Sequence, residues 1–331
     1  MFCKCYRCKT PKAPIEFLVG DANRLYTSVS TEQVEEAAAA YRTEFERITG
    51  DERVSVLHTS RVKGYVGGNA HNTKTGTTFT TTDLTNILRF ATLCRIFRVG
   101  DTMVRQILGV PMGGHMSKII ISILLCKMEA DLFDDRDWLI DNDFYSPLLA
   151  QQHIHPTEVV NGVRHVDDVL IFSRMLCLEC LESFLTRMYK EPLEFSVEGR
   201  PPSAEFLDLQ ISAADNRLRY LLRQKNAKWT AGEDAFVTKT ALPVVLGKPV
   251  ITRRRVAAFL SVKLHRIHQL HPEGDDHRLV ALTEVMSEVH MLGYSLPFIH
   301  RALGNIRNAR ILDLAAYGQE CYDRLDHPRG D

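Results

Sequence analysis

The chain has 331 residues, of which 45% are hydrophobic and 25% charged, and its 41 lysines and arginines balance its 41 aspartates and glutamates. This composition excludes a disordered tail and a globally basic nucleic-acid coat, and the length suffices for two or three subdomains. The longest apolar run, residues 119–126, is far shorter than the roughly 20 residues of a membrane span, which excludes a transmembrane protein. Because the basic and acidic residues balance, any polyanion must be bound by a local basic patch.

The N-terminal segment carries basic residues with no apolar stretch behind them, so we expect no secretory signal. Eight cysteines in a chain of this length do not form a disulfide scaffold, and an intracellular location, nuclear or cytoplasmic, is expected. The spacing of Cys3, Cys5 and Cys8 suits zinc binding by thiolates, but no fourth ligand accompanies it. Simple terminal thiols are the alternative interpretation.

Strand and helix patterns alternate in the first part of the chain. Residues 15–20 form an apolar run that predicts a buried strand delivering Asp21 at its C-terminal end. Ser30 or Thr31 caps a helix predicted over residues 31–48. Residues 49–82 are rich in Thr, Gly and Asn and predict a hairpin or a long loop, and residues 83–97 predict a further helix.

The middle of the chain is predicted to form the core. Gly113 and Gly114 precede a strongly apolar segment, residues 116–133, which predicts a buried helix capped by Ser117. Residues 163–172 contain Asp167 and Asp168 and predict two strands around a tight turn. An amphipathic helix over residues 175–189, alternating strands over 195–222 and several short helices from about residue 239 follow.

Asp21, Asp167 and Asp168 are the features that suggest an acidic site on strands. Three carboxylates on adjacent strands concentrate negative charge that is tolerable only when a divalent cation neutralises it. Mg²⁺ takes oxygen ligands from one or two carboxylates plus substrate phosphates, and two ions about 3.5–4 Å apart activate a 3′-hydroxyl and stabilise a leaving pyrophosphate. A solvated turn is the alternative interpretation, which the apolar neighbours Val166 and 169–172 disfavour.

Four segments, in this order, resemble motifs of reverse transcriptases. GDANRLYTSV (20–29) resembles their first palm motif, QILGVPMGGHMS (106–117) the second, RHVDDVLI (164–171) the aromatic-x-Asp-Asp box, and FLDLQI (206–211) the primer-grip strand. Within that superfamily the pattern is similar to the Penelope-like group, with its Leu-Tyr-Thr, Met-Gly and Phe-Leu-Asp signatures. The resemblance extends from about residue 15 to 305.

This resemblance implies roles for individual residues. Asp21, Asp167 and Asp168 correspond to the catalytic, metal-binding carboxylates, and the implied cofactors are two Mg²⁺ ions, for which Mn²⁺ is an alternative. Tyr26 corresponds to the gate beneath the nucleotide sugar that rejects a 2′-hydroxyl, although a core aromatic is the alternative. Further implied nucleotide contacts are Gln106, Gly113, Gly114 and Ser117; the implied primer and template contacts are Phe206, Leu207, Asp208, Arg253, Arg254 and Arg255.

The chain also departs from the family pattern. His165 stands where Tyr is usual, His115 where Pro or a small residue is common, and Lys118 where Pro is usual. Only twenty residues precede Asp21, so we expect the fingers region, whose basic residues hold the triphosphate, to be missing. The expected domains are a Cys- and Lys-rich segment (1–14), a reverse-transcriptase palm (15–235) and a helical thumb-like domain (236–331).

The sequence thus predicts an α+β fold, a polymerase palm with a small antiparallel sheet and packed helices followed by a helical thumb. The expected reaction is template-directed nucleotidyl transfer, with an RNA or DNA template, a primer and deoxynucleoside triphosphates as partners. A catalytically inactive, truncated reverse-transcriptase derivative that only binds nucleic acid is the alternative. A zinc-binding interaction protein would leave the aspartates unexplained, and no protein partner is indicated.

Overall fold

The computed structural model describes residues 15–57, 63–67, 76–111, 116–141, 153, 155–189, 191–223, 253–271, 275, 277–306, 311, 313–316 and 318. Their first part contains β1 (Glu16–Asn23), α1 (Leu25–Ser28), α2 (Thr31–Thr49), β2 (Arg53–Leu57), β3 (Lys63–Val66), β4 (Gly76–Thr80), α3 (Thr81–Leu93), β5 (Ile96–Val99), β6 (Thr102–Arg105), α4 (Ser117–Asp134) and α5 (Arg136–Asp141). The second part contains α6 (Pro156–Val159), β7 (Asn161–His165), β8 (Asp168–Ser173), α7 (Leu178–Met188), β9 (Glu194–Gly199), β10 (Ser203–Phe206), β11 (Leu209–Ala214), β12 (Arg217–Leu222), α8 (Arg253–Leu270), α9 (His277–Met291) and α10 (Leu296–Leu303).

The chain divides into two units. The first comprises residues 1–204 and 213–217, and the second comprises residues 205–212 and 218–331. The segment 1–14, with its three cysteines, and the boundary expected near residue 236 lie outside the described residues. None of the helices in the described part of the chain is long and apolar enough to cross a membrane.

A four-stranded antiparallel sheet with the order β7-β8-β1-β9 forms the centre of the first unit. Phe17, Leu18 and Val19 of β1 are buried, with exposed fractions of 2% or less. Because successive side chains of a strand point to opposite faces, an unbroken buried run means that β1 is covered on both faces. The buried strand predicted from this apolar run is confirmed.

Helix α4 packs in the main apolar cluster of the first unit. Ile120 and Ile121 of α4 are fully buried in this cluster together with Leu18 of β1. Ser117, predicted as the cap, is instead the first helical residue: the N-cap is Met116, and the Ser117 hydroxyl donates to the carbonyl of Pro111. The predicted core helix is therefore correct, but the predicted cap is wrong.

Helix α2 begins as the sequence predicts. Ser30 is the N-cap, its hydroxyl accepts from the N–H of Gln33 at 3.2 Å, and the Gln33 side chain accepts from the N–H of Ser30 at 3.0 Å. This reciprocal arrangement satisfies two backbone donors that a helix start otherwise leaves without partners. A local hydrogen-bond pattern of this kind is readable from sequence alone.

The segment after α2 is more strand-rich than expected. β2, β3 and β4 form a three-stranded sheet with the order β3-β2-β4, which agrees with the predicted hairpin. The helix predicted over residues 83–97 is confirmed as far as Leu93, where α3 ends. Its predicted C-terminal end is wrong, because Ile96 begins β5, which pairs with β6. Strand β6 lies beyond residue 97, and the helical periodicity of residues 83–97 contains no information about that pairing.

A largely buried ion pair fastens β7 to α4. Arg164 Nε donates to Glu129 Oε1 at 2.5 Å, with side-chain exposures of 11% and 25%, and the hydroxyl of Tyr189 donates to the same oxygen at 2.6 Å. Burial and the Glu129 carboxylate raise the pKa of Tyr189, so its phenol remains a donor. The two donors compensate the charge of the carboxylate at this depth.

We expect Glu129→Gln to lower the free energy of unfolding by about 2 kcal/mol, because it leaves the buried Arg164 guanidinium without its counter-charge. Glu44→Gln is the matched control, since Glu44 pairs with Arg47 on the exposed surface of α2, where the loss of an ion pair changes the free energy of unfolding very little. Urea unfolding followed by circular dichroism measures both. Equal losses for the two variants would contradict the role assigned to Glu129.

The second unit has its own apolar core, formed by α8, α9 and α10. Leu264 and Val285 are fully buried there. His271 is buried at the end of α8, where its Nε2 accepts from the N–H of Leu222 at 3.1 Å and its Nδ1 bonds to Asp275 at 2.9 Å. Both ring nitrogens are therefore used in packing, and this histidine tethers β12 to the helices.

Candidate active site

Asp21 and Asp168 lie directly opposite each other in the antiparallel pair of β1 and β8. On the other side of β8, His165 of β7 lies opposite Asp168. Residues that are directly opposed in this way project from the same face of a sheet. Ala22 and Val169 belong to the cluster on the α4 side, so the two carboxylates lie on the other face. Asp21 is within β1 rather than at its end as predicted, because the strand continues to Asn23.

A two-residue turn, Val166–Asp167, joins β7 to β8. Val166 has φ 62°, a left-handed conformation that is a steric outlier for a β-branched residue and costs on the order of 1–3 kcal/mol. The carbonyl of Asp167 accepts from the N–H of Ala22 at 3.1 Å, which holds the turn against β1. The predicted tight turn is confirmed, and the strain at Val166 is of the kind that accumulates at functional sites.

Tyr26 lies in α1, the short helix that follows β1, and is partly buried. Burial and the charge of Asp167 raise the pKa of the Tyr26 hydroxyl. The phenol is therefore near enough to the turn to sense the Asp167 carboxylate, and it remains neutral. Tyr26, Asp21 and the aspartate pair, which are far apart in sequence, are brought together around the end of β1.

Residues 106–110 are hydrogen-bonded to the backbone of α1 and of Val29, beside the end of β1. The N–H of Val110 donates to the Tyr26 carbonyl at 2.6 Å, and the N–H of Gly109 donates to Val29 at 3.2 Å. Gly109 has φ 82°, and a Cβ at this position would lie 2.2 Å from the Tyr26 oxygen and 2.6 Å from the Thr27 Cα. Only glycine fits this approach.

The sequence motif drew attention to Gly113 and Gly114, which lie outside the described residues, rather than to Gly109. The only signal for Gly109 was its position within the second motif. Gln106 lies in the same segment, and its Nε2 donates to the carbonyl of Leu108 at 2.6 Å. This hydrogen bond helps to close the loop beside Tyr26.

The predicted primer and template contacts lie elsewhere in the chain. Phe206 is buried at the end of β10, and Leu207 and Asp208 form the turn before β11. The Asp208 carboxylate pairs with Arg266 of α8 at 2.5 Å, so it has a structural partner in the second unit. Arg253, Arg254 and Arg255 form the first turn of α8, where Arg254 and Arg255 are exposed.

The donor set around the end of β1 consists of carboxylate oxygens, which are the ligands that Mg²⁺ prefers. Directly opposed like charges destabilise a strand pair, and a bound cation would relieve that repulsion. Within the described ranges, no three His, Cys, Asp or Glu side chains converge as a preformed metal site. An ion here would therefore take one or two carboxylates and complete its coordination with water and substrate phosphates, as Mg²⁺ commonly does.

No protein-family model matches the sequence, and no curated protein matches it. Among solved structures, the telomerase of Candida albicans in complex with the TWJ fragment of telomeric RNA matches 95% of this chain with a TM-score of 0.50 and 14% sequence identity. The apo telomerase of Candida tropicalis matches 97% of this chain with a TM-score of 0.46 and 11% identity. The chain spans 48% and 44% of the lengths of those two chains.

The likeness to the Candida albicans structure shows the fold. The chain has a mixed helix and sheet architecture with small antiparallel sheets and packed helices, similar to that of this telomerase structure. The predicted α+β fold class is confirmed.

Proposed function

We propose that the chain is a reverse transcriptase of Penelope-like, retroelement type that carries out template-directed nucleotidyl transfer with two Mg²⁺ ions. The observation that carries the proposal is the direct opposition of Asp21 and Asp168 across β1 and β8, beside the strained Val166–Asp167 turn. The reverse-transcriptase-like fold supports the reaction class, and the four ordered motifs support the Penelope-like type.

In the proposed reaction the primer 3′-hydroxyl attacks the α-phosphate of a deoxynucleoside triphosphate, and pyrophosphate leaves. Asp21, Asp167 and Asp168 would hold the metal ions, which when bound supply Lewis-acid stabilisation of the attacking and leaving oxygens. Tyr26, held as a neutral phenol, would pack beneath the sugar of the incoming nucleotide. The residues 106–110 position Tyr26 through the hydrogen bond to its carbonyl.

Primer extension tests the proposal. The purified chain is incubated with an RNA template annealed to a labelled DNA primer, the four deoxynucleotides and MgCl₂, and a second reaction uses a DNA template. We expect elongation that follows the template and stops when EDTA is added. Salt-sensitive binding of the duplex without any elongation would overturn the catalytic proposal and leave a nucleic-acid-binding protein.

We expect Tyr26→Ala to reduce discrimination between deoxynucleotides and ribonucleotides by about tenfold or more, because loss of the ring removes the steric barrier to a 2′-hydroxyl. The measurement is the ratio of kcat/KM for dATP to that for ATP. Tyr26→Phe is the matched control, since it keeps the ring and should retain the discrimination of the wild type. Equal ratios for all three proteins would mean that Tyr26 only packs the core.

A further inference from the structure

Arg95, which immediately precedes β5, is a buried arginine held by neutral acceptors. Its guanidinium donates to the carbonyl of Thr92, to the carbonyl of Ile107 at 3.0 Å and to the hydroxyl of Thr31. The residue is only 4% exposed, and among the described residues no carboxylate forms an ion pair with it. Neutral acceptors do not cancel charge, and the Glu32 carboxylate acts on Arg95 less strongly than the like charge of Arg105 does. A positive potential therefore remains at this point of the fold.

Arg105, the last residue of β6, adds a second positive charge at the same point. Its side chain is exposed, and within the described part of the chain it has no ion pair with a carboxylate. Arg105 lies opposite Ile96, the residue after Arg95, in the antiparallel pair of β5 and β6. Burial and the charge of Arg105 lower the pKa of Arg95, and Glu32 raises it by a smaller amount. Arg98 of the same ribbon differs, because it pairs with Asp101 at 2.7 Å.

The two arginines are joined to the candidate active site through the backbone. The N–H of Gln106 donates to the carbonyl of Arg95 at 2.8 Å, which fixes the residue that directly follows Arg105. Four residues later, Val110 donates to the carbonyl of Tyr26, a residue of α1, the short helix that directly follows β1 and its Asp21. Arg105 therefore stands at the start of the segment that is fastened beside the carboxylates.

We propose that Arg105 binds a phosphate group of the incoming nucleoside triphosphate, with buried Arg95 keeping the local potential positive. The choice of a nucleotide as ligand rests on the proposed function, whereas the geometry itself calls for a phosphate anion. The planar guanidinium can donate two parallel hydrogen bonds to phosphate oxygens, and such charge-assisted bonds are among the strongest in proteins. Arg105 thereby supplies a basic group for the triphosphate from the segment between the first two motifs.

Binding of inorganic tripolyphosphate, measured by isothermal titration calorimetry at low salt, tests the proposal without requiring catalysis. We expect Arg105→Gln to weaken binding at least about tenfold, and Arg105→Lys to weaken it less, because a lysine retains the charge but not the planar fork. Arg98→Gln is the matched control: Arg98 is exposed on the same ribbon and already has a carboxylate partner. That variant should change the affinity by less than about twofold.

Primer extension adds a second readout. We expect the KM for deoxynucleotides to rise in Arg105→Gln while the Kd for primer–template stays unchanged. A loss of primer–template affinity with an unchanged KM would assign the phosphate to the template strand and overturn the nucleotide as ligand. Unchanged tripolyphosphate binding in Arg105→Gln, or no binding by the wild type, would overturn the phosphate site altogether. Tripolyphosphate binding through Arg105 in a protein that extends no primer would support the site and refute the proposed function.

Discussion

Asp168→Asn should lower the rate of primer extension by about a thousandfold or more. The substitution keeps the shape of the side chain but removes the negative charge that would hold a divalent cation opposite Asp21. Metal ions contribute several kcal/mol of transition-state stabilisation in reactions of this class, and each 1.4 kcal/mol or so corresponds to a factor of ten in rate. Single-nucleotide incorporation measured at saturating deoxynucleotide gives the rate directly.

The same substitution should leave the metal-free protein as stable as the wild type or slightly more stable. Asp21 and Asp168 are directly opposed, and like charges in that position destabilise a strand pair. Thermal unfolding in EDTA measures this effect. Added Mg²⁺ should raise the Tm of the wild type, because an ion bound only by the folded state stabilises it by mass action, and should raise that of Asp168→Asn less.

Glu198→Gln is the matched control for this prediction. Glu198 is an exposed carboxylate on β9 of the same sheet, so its loss should change neither the extension rate nor the effect of Mg²⁺ on the Tm. If Asp168→Asn does not fold, Asp21→Asn tests the catalytic role instead, because it removes the charge of the other member of the pair. Full activity in a folded Asp21→Asn or Asp168→Asn variant would refute the proposed site.

Gly109→Ala should abolish primer extension. It should also lower the free energy of unfolding of the first unit by more than the backbone strain of an alanine at positive φ accounts for. At φ 82° the added Cβ would lie 2.2 Å from the carbonyl oxygen of Tyr26, so the segment 106–110 must move away from α1. That movement breaks the hydrogen bond from Val110 to Tyr26 and displaces the side chain next to Asp167. Urea unfolding and primer extension report the two effects separately.

Gly100→Ala separates backbone strain from the clash. Gly100 also has a positive φ, 59°, but a Cβ there meets nothing within 4 Å. We expect this variant to lose only the roughly 1–2 kcal/mol that a non-glycine residue pays in the left-handed region, and to retain extension activity. Equal losses of stability and activity in the two variants would show that the contact between Gly109 and Tyr26 has no special role.

The features that the sequence predicts correctly depend on neighbouring residues. The N-cap of α2, predicted at Ser30 or Thr31, is Ser30, which bonds to Gln33 three residues further on, and the apolar run of β1 marks a buried strand. The tight turn at Val166–Asp167 is indicated by the adjacent aspartates and by the apolar run 169–172 that follows them. In each case the residues that decide the local structure lie within a few positions of one another, so the sequence pattern predicts it.

The errors arise where the deciding partner lies outside the segment whose pattern was interpreted. β5 replaces the end of the predicted helix because it pairs with β6. Ser117 leaves its expected capping position because its hydroxyl binds the carbonyl of Pro111. Neither the periodicity of a single segment nor its capping residues contain information about such partners.

The candidate site divides in the same way. Sequence alone determined the acidic residues and their order along the chain, which follow from residue types, and the α+β class, which follows from the resemblance of the four motifs to reverse transcriptases. Only the tertiary structure decided that Asp21 stands opposite Asp168, that Gly109 must lack a side chain to approach Tyr26, and that Arg95 and Arg105 share one basic locus. Strand register, steric contact and electrostatic proximity are relations between residues far apart in the chain, and they exist only once the backbone has folded.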